Sequence, residues 1–336
     1  MRSFVNRFVF VVVVTLGIAL GSAVGLRGQQ PKPKATPPPP EKEQGTESVT
    51  IRRVRLPITV VDKKGRFISG LTKGDFEVLE DKVPQDIETF SDDIGQTQPL
   101  YIGVLMDTSP STAGKLKFEQ ESAMNFIQTV VRPRKDRIFF ATFDDEIILR
   151  QDFTDRLDLL DKAVNSVKKV GKQTALYDAV WQFCDEKMRS ISGRRVLVII
   201  TDGEDTYSRA ELRDAIDIAQ RTETTLFAIS TKAGFSGAVP GVEMGTVRDE
   251  KDRDMVRLAE ETGGAAFFTG DMLTLERAFN KIRNELLSQY LITYKPSNEL
   301  YDGSKRRIDV KLAKGKSDLT VRTKRGYTAI ADTVKP

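Results

Sequence analysis

At 336 residues the chain is long enough for two or three domains, and 39% hydrophobic with 30% charged residues suits ordinary globular cores. A net charge of +4, without a compact block of Lys and Arg interleaved with aromatics, leaves no footprint for nucleic acid. The absence of histidine excludes Ser-His-Asp triads, Cys-His pairs and His-ligated zinc, and a single cysteine, Cys184, excludes an internal disulfide or a thiolate metal cluster.

At the amino terminus Arg2 and Arg7 precede an apolar stretch from Phe8 to Leu26 that carries Gly21-Ser22-Ala23. This is the pattern of a secretory signal, here residues 1–28. The alternative is a retained signal anchor, since the run lies near the lower limit for spanning a bilayer. Glycines at 17, 21 and 25 favour cleavage. Either reading exports the rest of the chain to the periplasm, the cell surface or the medium. A membrane would then be contacted only through an uncleaved anchor. Residues 29–48, with Pro31, Pro33 and Pro37 to Pro40, cannot pair or pack and form a semi-rigid spacer.

Residues 49–95 read as short strands. Val54, Leu56, Ile58 and Val60 alternate with polar positions and Pro57, which places that strand at an edge or at a break in pairing. Phe67 and Ile68, Phe76 to Leu79 and Asp86 to Phe90 come next, separated by turns at Asp62 to Gly65 and Asp81 to Pro84. Such a segment is too short to close a sandwich alone, so its partner strands must come from elsewhere.

From 96 to 289 the pattern becomes α/β. Apolar strands (Tyr101–Met106, Arg137–Phe143, Arg195–Thr201, Thr225–Ser230, Ala265–Thr269) alternate with amphipathic helices, which predicts a doubly wound, mostly parallel sheet covered on both faces. One helix carries Leu116, Ala123, Phe126, Ile127 and Val130 on its stripe; others run over 155–169 and 273–287. Another starts at Leu176 and has Cys184 among its apolar positions, the place of a buried, inert thiol. Following chain direction, with Glu146 to Arg150 as a short antiparallel strand, four pieces meet on the sheet's carboxyl rim. They are Asp107-Thr-Ser-Pro-Ser, Asp144-Asp145, the loop around Thr174 and Asp202-Gly203. Ligands gather on such a rim. Oxygen-only side chains there suit a hard cation.

Each residue also has a plainer reading. Asp107, Ser109, Ser111 or Thr174 alone could cap a helix, Asp202-Gly203 alone is a turn, and Asp144, Asp145, Glu204 and Asp205 could be solvated loop charges. Two rival motifs fail. A phosphate-binding loop would need glycine at 109 and a hydroxyl at 116, where Ser109 and Leu116 stand, and a phosphotransferase would need a second acid at 109.

Together the pieces resemble the von Willebrand factor type A domain and its metal-ion-dependent adhesion site. The D-x-S-x-S motif is matched by Asp107, Ser109 and Ser111, the separate threonine by Thr174 and the later aspartate by Asp202. The flanking Val60-Val-Asp-Lys-Lys-Gly, Gly70-Leu-Thr-Lys-Gly-Asp-Phe-Glu-Val-Leu-Glu-Asp and Tyr290-Leu-Ile-Thr-Tyr resemble exported bacterial VWFA-related proteins common in acidobacteria. The resemblance implies a Mg²⁺ site, with Mn²⁺ or Ca²⁺ as alternatives, that captures a carboxylate of a partner protein. In it Ser109 and Ser111 ligate directly, Thr174 directly or through water, and Asp107 and Asp202 through water. A metal-assisted hydrolase and a metal-free scaffold are the other readings it leaves open, and a non-enzymatic module is the one expected. Asp144, Asp145, Glu204, Tyr207, Phe235 and Glu243 are candidates for a partner-binding rim. The glycine-rich loop 233–249 either shapes partner choice or is an insertion.

In residues 290–336 alternation returns. Tyr290, Ile292 and Tyr294 share one face, Ile308, Val310 and Leu312 another, and Leu319 to Thr323 come after a turn at Gly315. These strands are expected to complete, with 49–95, a small β-sandwich into which the α/β region is inserted; a separate β appendage at each end is the alternative.

Overall fold

The computed structural model describes residues 53–92, 94–202, 205–231, 250–269, 272–313 and 318–330, all within one contact unit, Thr50–Pro336. The leader, the proline-rich spacer, the loop 233–249 and the turn at Gly315 lie outside the described residues. Among those described, no helix is long and apolar enough to cross a membrane.

The first flank forms β1 (Val54–Val61), β2 (Phe76–Glu80), β3 (Val83–Gln85) and β4 (Ile87–Ser91). A single helical turn, α1 (Ile94–Thr97), leads into β5 (Leu100–Asp107), α2 (Leu116–Val130), β6 (Arg137–Phe143) and β7 (Ile147–Thr154). Then come α3 (Leu157–Asn165), α4 (Leu176–Phe183), β8 (Arg194–Thr201), α5 (Leu212–Arg221) and β9 (Thr224–Ser230). The α/β region closes with α6 (Glu250–Glu261), β10 (Ala266–Phe268) and α7 (Met272–Leu287). The second flank adds β11 (Tyr290–Tyr294), β12 (Lys305–Leu312), β13 (Thr320–Arg322) and β14 (Gly326–Thr328).

The central sheet has the order β10-β9-β8-β5-β6-β7, parallel except for β7 at its edge. Its inner strands are apolar runs because both faces are covered. One face packs Val104, Met106, Val198 and Ile200 against α2, α3 and α7; the other packs Leu105, Leu197 and Ile199 against α4 and α5. The fold is therefore the doubly wound α/β arrangement expected. One helix departs from expectation. After Phe183 the backbone widens into a π-helical segment, Cys184–Met188, and the Arg189 amide donates to the Cys184 carbonyl five residues back. Cys184 stays fully buried, and burial pushes its thiol up to about 12.

The two flanks build one sandwich. Its sheets have the orders β13-β1-β11-β4 and β14-β12-β2-β3, and between them lie Leu56, Ile58, Phe76, Val78, Tyr290, Ile292, Ile308 and Val310. The α/β region leaves this sandwich after β4 and re-enters at β11, the strand paired with β4. Pro57 lies opposite Leu291 of β11, but β13 joins the other side of β1 only from Thr59 onward. The residue without an amide proton thus stands where one side of its strand is unpaired. β3 and β14 had no separate periodicity to announce them, being three residues each.

A carboxylate is buried in this sandwich. Glu80, 3% exposed, accepts hydrogen bonds from the hydroxyls of Tyr294 (2.7 Å) and Tyr327 (3.0 Å), one from each sheet. The pair joins the two layers across an otherwise apolar core. Tyr294→Phe should lower stability by about 1–3 kcal/mol, because a buried acceptor loses a donor that water cannot replace. Urea unfolding checks this, and a loss no larger than that of an exposed Tyr207→Phe control would contradict it.

A candidate metal centre at the carboxyl rim

The site sits where strand order reverses. β5 is followed by β6 on one side, while its other neighbour, β8, arrives later in the chain, so a crevice opens at the carboxyl ends. Register places Asp107 opposite Phe143 of β6, and Met106 opposite Ile200 of β8, which brings Thr201 and Asp202 alongside Asp107.

Four loops are then bonded to one another. Thr108 donates from its amide to the Phe143 carbonyl (2.9 Å) and from its hydroxyl to Asp144 (2.6 Å). Gly171 donates to the Thr108 carbonyl (2.7 Å), and Ala175 to the Asp144 carbonyl (2.9 Å). The amides of Thr206 and Tyr207 donate to the Thr174 carbonyl (2.9 and 3.0 Å), and the Thr206 hydroxyl accepts from the Thr174 amide (3.0 Å). The first three loops are thus bonded to one another, and the fourth is bonded to the loop of Thr174.

Gly171 is the tight point among these loops. A Cβ there would fall 2.3 Å from Cγ of Asp144. Gly171→Ala must push Asp144 off Thr108, and we expect a stability loss of about 1–3 kcal/mol with weakened rim chemistry. Thermal melts would show it; an unchanged Tm would mean the loop yields freely.

Asp107 is fully buried. Its Oδ1 accepts from the Ser109 amide (2.8 Å) and its Oδ2 from the Thr201 hydroxyl (2.6 Å). Burial first, and the nearby Asp202 charge in addition, push its carboxyl up to about 6 against those hydrogen bonds. Ser109, also buried, turns its hydroxyl to that of Ser111, which is exposed, at 3.0 Å. Thr174 and Asp202 are 4% and 9% exposed, and neither side chain makes a hydrogen bond to a described residue. Both remain open to a ligand.

This donor set fits a hard divalent cation. It is all oxygen, two hydroxyls already converge, and two acids repel each other in a place where a cation would relieve both. Among the described residues no three His, Cys, Asp or Glu side chains gather round one point.

One acid went unnoticed in the sequence. Glu119, on the first turn of α2, is fully buried and accepts the Thr231 hydroxyl (2.8 Å) at Oε1, while Oε2 has no partner. Burial, then the charges of Asp107 and Asp202, push it up to about 9. Thr231 comes directly after β9 and also donates its amide to the Thr201 carbonyl (2.8 Å). Lys115 Nζ donates to the Thr231 carbonyl (3.3 Å). A glutamate on the apolar stripe of an amphipathic helix was the available signal.

The proposed rim residues divide. Asp144 and Asp145 hold loops together: Asp144 accepts from Thr108 and from the Glu146 amide (2.8 Å), and Asp145 accepts the Lys172 amide (2.6 Å). That amide holds Asp145 below the usual carboxylate range. Asp205 caps α4, accepting the Leu176 amide (2.8 Å) and the Ser208 hydroxyl (2.6 Å). Tyr207 projects from the rim, 53% exposed. Glu204, Phe235 and Glu243 lie outside the described residues.

The sequence profile of the von Willebrand factor type A domain matches residues 102–281. The chain belongs to that family. The Asp107-Thr-Ser-Pro-Ser turn, Thr174 and Asp202 all fall within the matched span. No curated protein sequence matches the chain. Several solved structures are similar to it. A von Willebrand factor type A protein from Catenulispora acidiphila is 12% identical over 85% of this chain and 76% of its own, with a TM-score of 0.44. An aerotolerance-related membrane protein from Bacteroides fragilis is 14% identical over 56% of this chain and 98% of its own, with a TM-score of 0.44. Proximal thread matrix protein 1 from the mussel byssus, described with a zinc-occupied MIDAS motif, is 14% identical over 62% of this chain and half of its own, with a TM-score of 0.46. Family membership of this von Willebrand factor type A protein rests on the sequence match.

Proposed function

We propose that this protein is an exported, non-enzymatic binding module whose rim cation captures an acidic group of a partner protein. Mg²⁺ is the first choice for the ion, with Mn²⁺ or Ca²⁺ as alternatives. Ser109 and Ser111 hold it directly, Thr174 directly or through water, and Asp107 and Asp202 through water. Hydroxyl ligands leave most of the ion's charge unquenched, so an open coordination position attracts a carboxylate. The leader read in residues 1–28 supports export to the periplasm, cell surface or medium. Tyr207 offers an exposed aromatic contact beside the ion.

The observation that carries the reading is the buried Asp107, strained by burial and by Asp202, next to the converging Ser109 and Ser111 hydroxyls. Two other titratable groups near the donor set are enclosed or already engaged. Glu119 is fully buried and Lys115 is directed to the Thr231 carbonyl. Calorimetric titration of MgCl₂, MnCl₂ and CaCl₂ into wild type and Asp107→Ala tests the proposal. Saturable binding near one ion per chain, lost in the variant, is expected. Wild type that binds none of the three ions would sink it.

A further inference from the structure

A second recess lies away from the rim, where α7 meets the sandwich. The cleft has a volume of about 630 Å³ and is walled by the turn after β1, the last two turns of α7 and the strand β13. That size holds a small molecule. Val61, Phe67 and Phe267 give it an apolar base. Its charge is unbalanced. Among the lining residues, Asp62 is taken by Arg66 (2.7 Å) and Glu285 by Arg322 (2.8 Å), while Lys63 pairs with Asp318 outside the cleft (2.6 Å).

Lys64 and Lys281 are left without an ion pair among the described residues. They come from opposite walls: Lys281 Nζ reaches to 3.9 Å from the position a Cβ would take on Gly65, the residue next to Lys64. Oε1 of Glu285 and Nε of Arg322 are enclosed within the wall of the cleft and do not face its open space. Glu285 itself is 4% exposed.

We propose that this cleft is a binding site for a small amphipathic anion, an apolar body ending in a carboxylate. The apolar part lies over Val61, Phe67 and Phe267, and the carboxylate is held between Lys64 and Lys281. The site is independent of the rim cation and stands whether or not that reading holds.

Calorimetric titration of the full chain with sodium decanoate, below its micelle concentration, tests this. One saturable site is expected. Lys64→Glu with Lys281→Glu should weaken it at least tenfold, since neither residue has an ion-pair partner among the described residues, and a thermal melt checks that the double variant is folded. Asp107→Ala should leave decanoate binding unchanged, and 1-decanol, with the chain but not the charge, should bind at least tenfold more weakly. Absence of saturable binding, equal affinity in the double variant, or decanol binding as well as decanoate would each overturn the proposal.

Discussion

Raising the pH from 5 to 9 in the absence of divalent cations should cost the protein on the order of 5 kcal/mol of stability, most of it through Glu119. In the fold this carboxyl is pushed up to about 9 by burial, and by Asp107 and Asp202. In the unfolded chain it ionises near 4.5, the ordinary value for a glutamate. Between those values the folded form holds a proton that the unfolded form has released. Stability is therefore fully present below about 4.5, falls as pH rises, and levels off above about 9. Glu119→Gln should flatten that slope. The amide oxygen still accepts the Thr231 hydroxyl, but its N–H groups replace a nearly neutral group that already lacked a partner at Oε2. The variant should be less stable than wild type at pH 5, by about 1–2 kcal/mol, and more stable at pH 9, so the two profiles cross. Urea unfolding across this range in EDTA decides it. Parallel profiles would show that Glu119 is not the titrating group.

The apparent affinity for Mg²⁺ should fall by up to tenfold per pH unit below about 6 and be nearly flat above it. Asp107 explains the break. Its carboxyl is pushed up to about 6, and a cation beside it must displace the proton held there. The same sign holds for folding: the raised value means stability is lost from about 3.8 up to about 6 in metal-free protein, and cation binding restores it. Asp107→Asn should remove the pH dependence and weaken the ion about 10–100-fold, the usual cost of losing a group that orients the direct ligands. Its Oδ1 still accepts the Ser109 amide, so the turn should survive. At Oδ2, however, an NH₂ would face the Thr201 hydroxyl, which must rotate. Titration of MgCl₂ at pH 5, 6, 7 and 8 reads both effects. A wild-type affinity independent of pH would remove Asp107 from the site.

Much of the architecture was legible because burial on two faces leaves a plain mark. Leu100 to Met106 and Val196 to Ile200 are continuous apolar runs, and such runs alternating with amphipathic helices have few arrangements other than a doubly wound sheet. The same alternation, with chain direction followed, was enough to bring Asp107, Thr174 and Asp202 to one rim. The short strands β3 and β14 were not legible, since three residues carry no usable period. Nor was the π-helical widening at Cys184, which leaves the stripe of apolar residues nearly unchanged.

At the candidate site, residue identity and order were determined by the sequence alone: oxygen-bearing side chains in the pattern Asp107, Ser109, Ser111, then Thr174, then Asp202, with no histidine in the chain. Side-chain pairing was decided only in three dimensions. Asp144 and Asp145 look like a free acidic pair, yet each is already bonded to a neighbouring loop. Glu119 looks like one more helix charge, yet it is packed under the rim against Thr231, far along the chain. The reason is the range of the interactions. Hydrophobic periodicity is local and repeats every two or 3.6 residues, so it can be read along the chain. Burial of a single carboxyl, and the partner that satisfies it, depends on residues brought together from distant segments, and that is settled only when the sheet and its loops close.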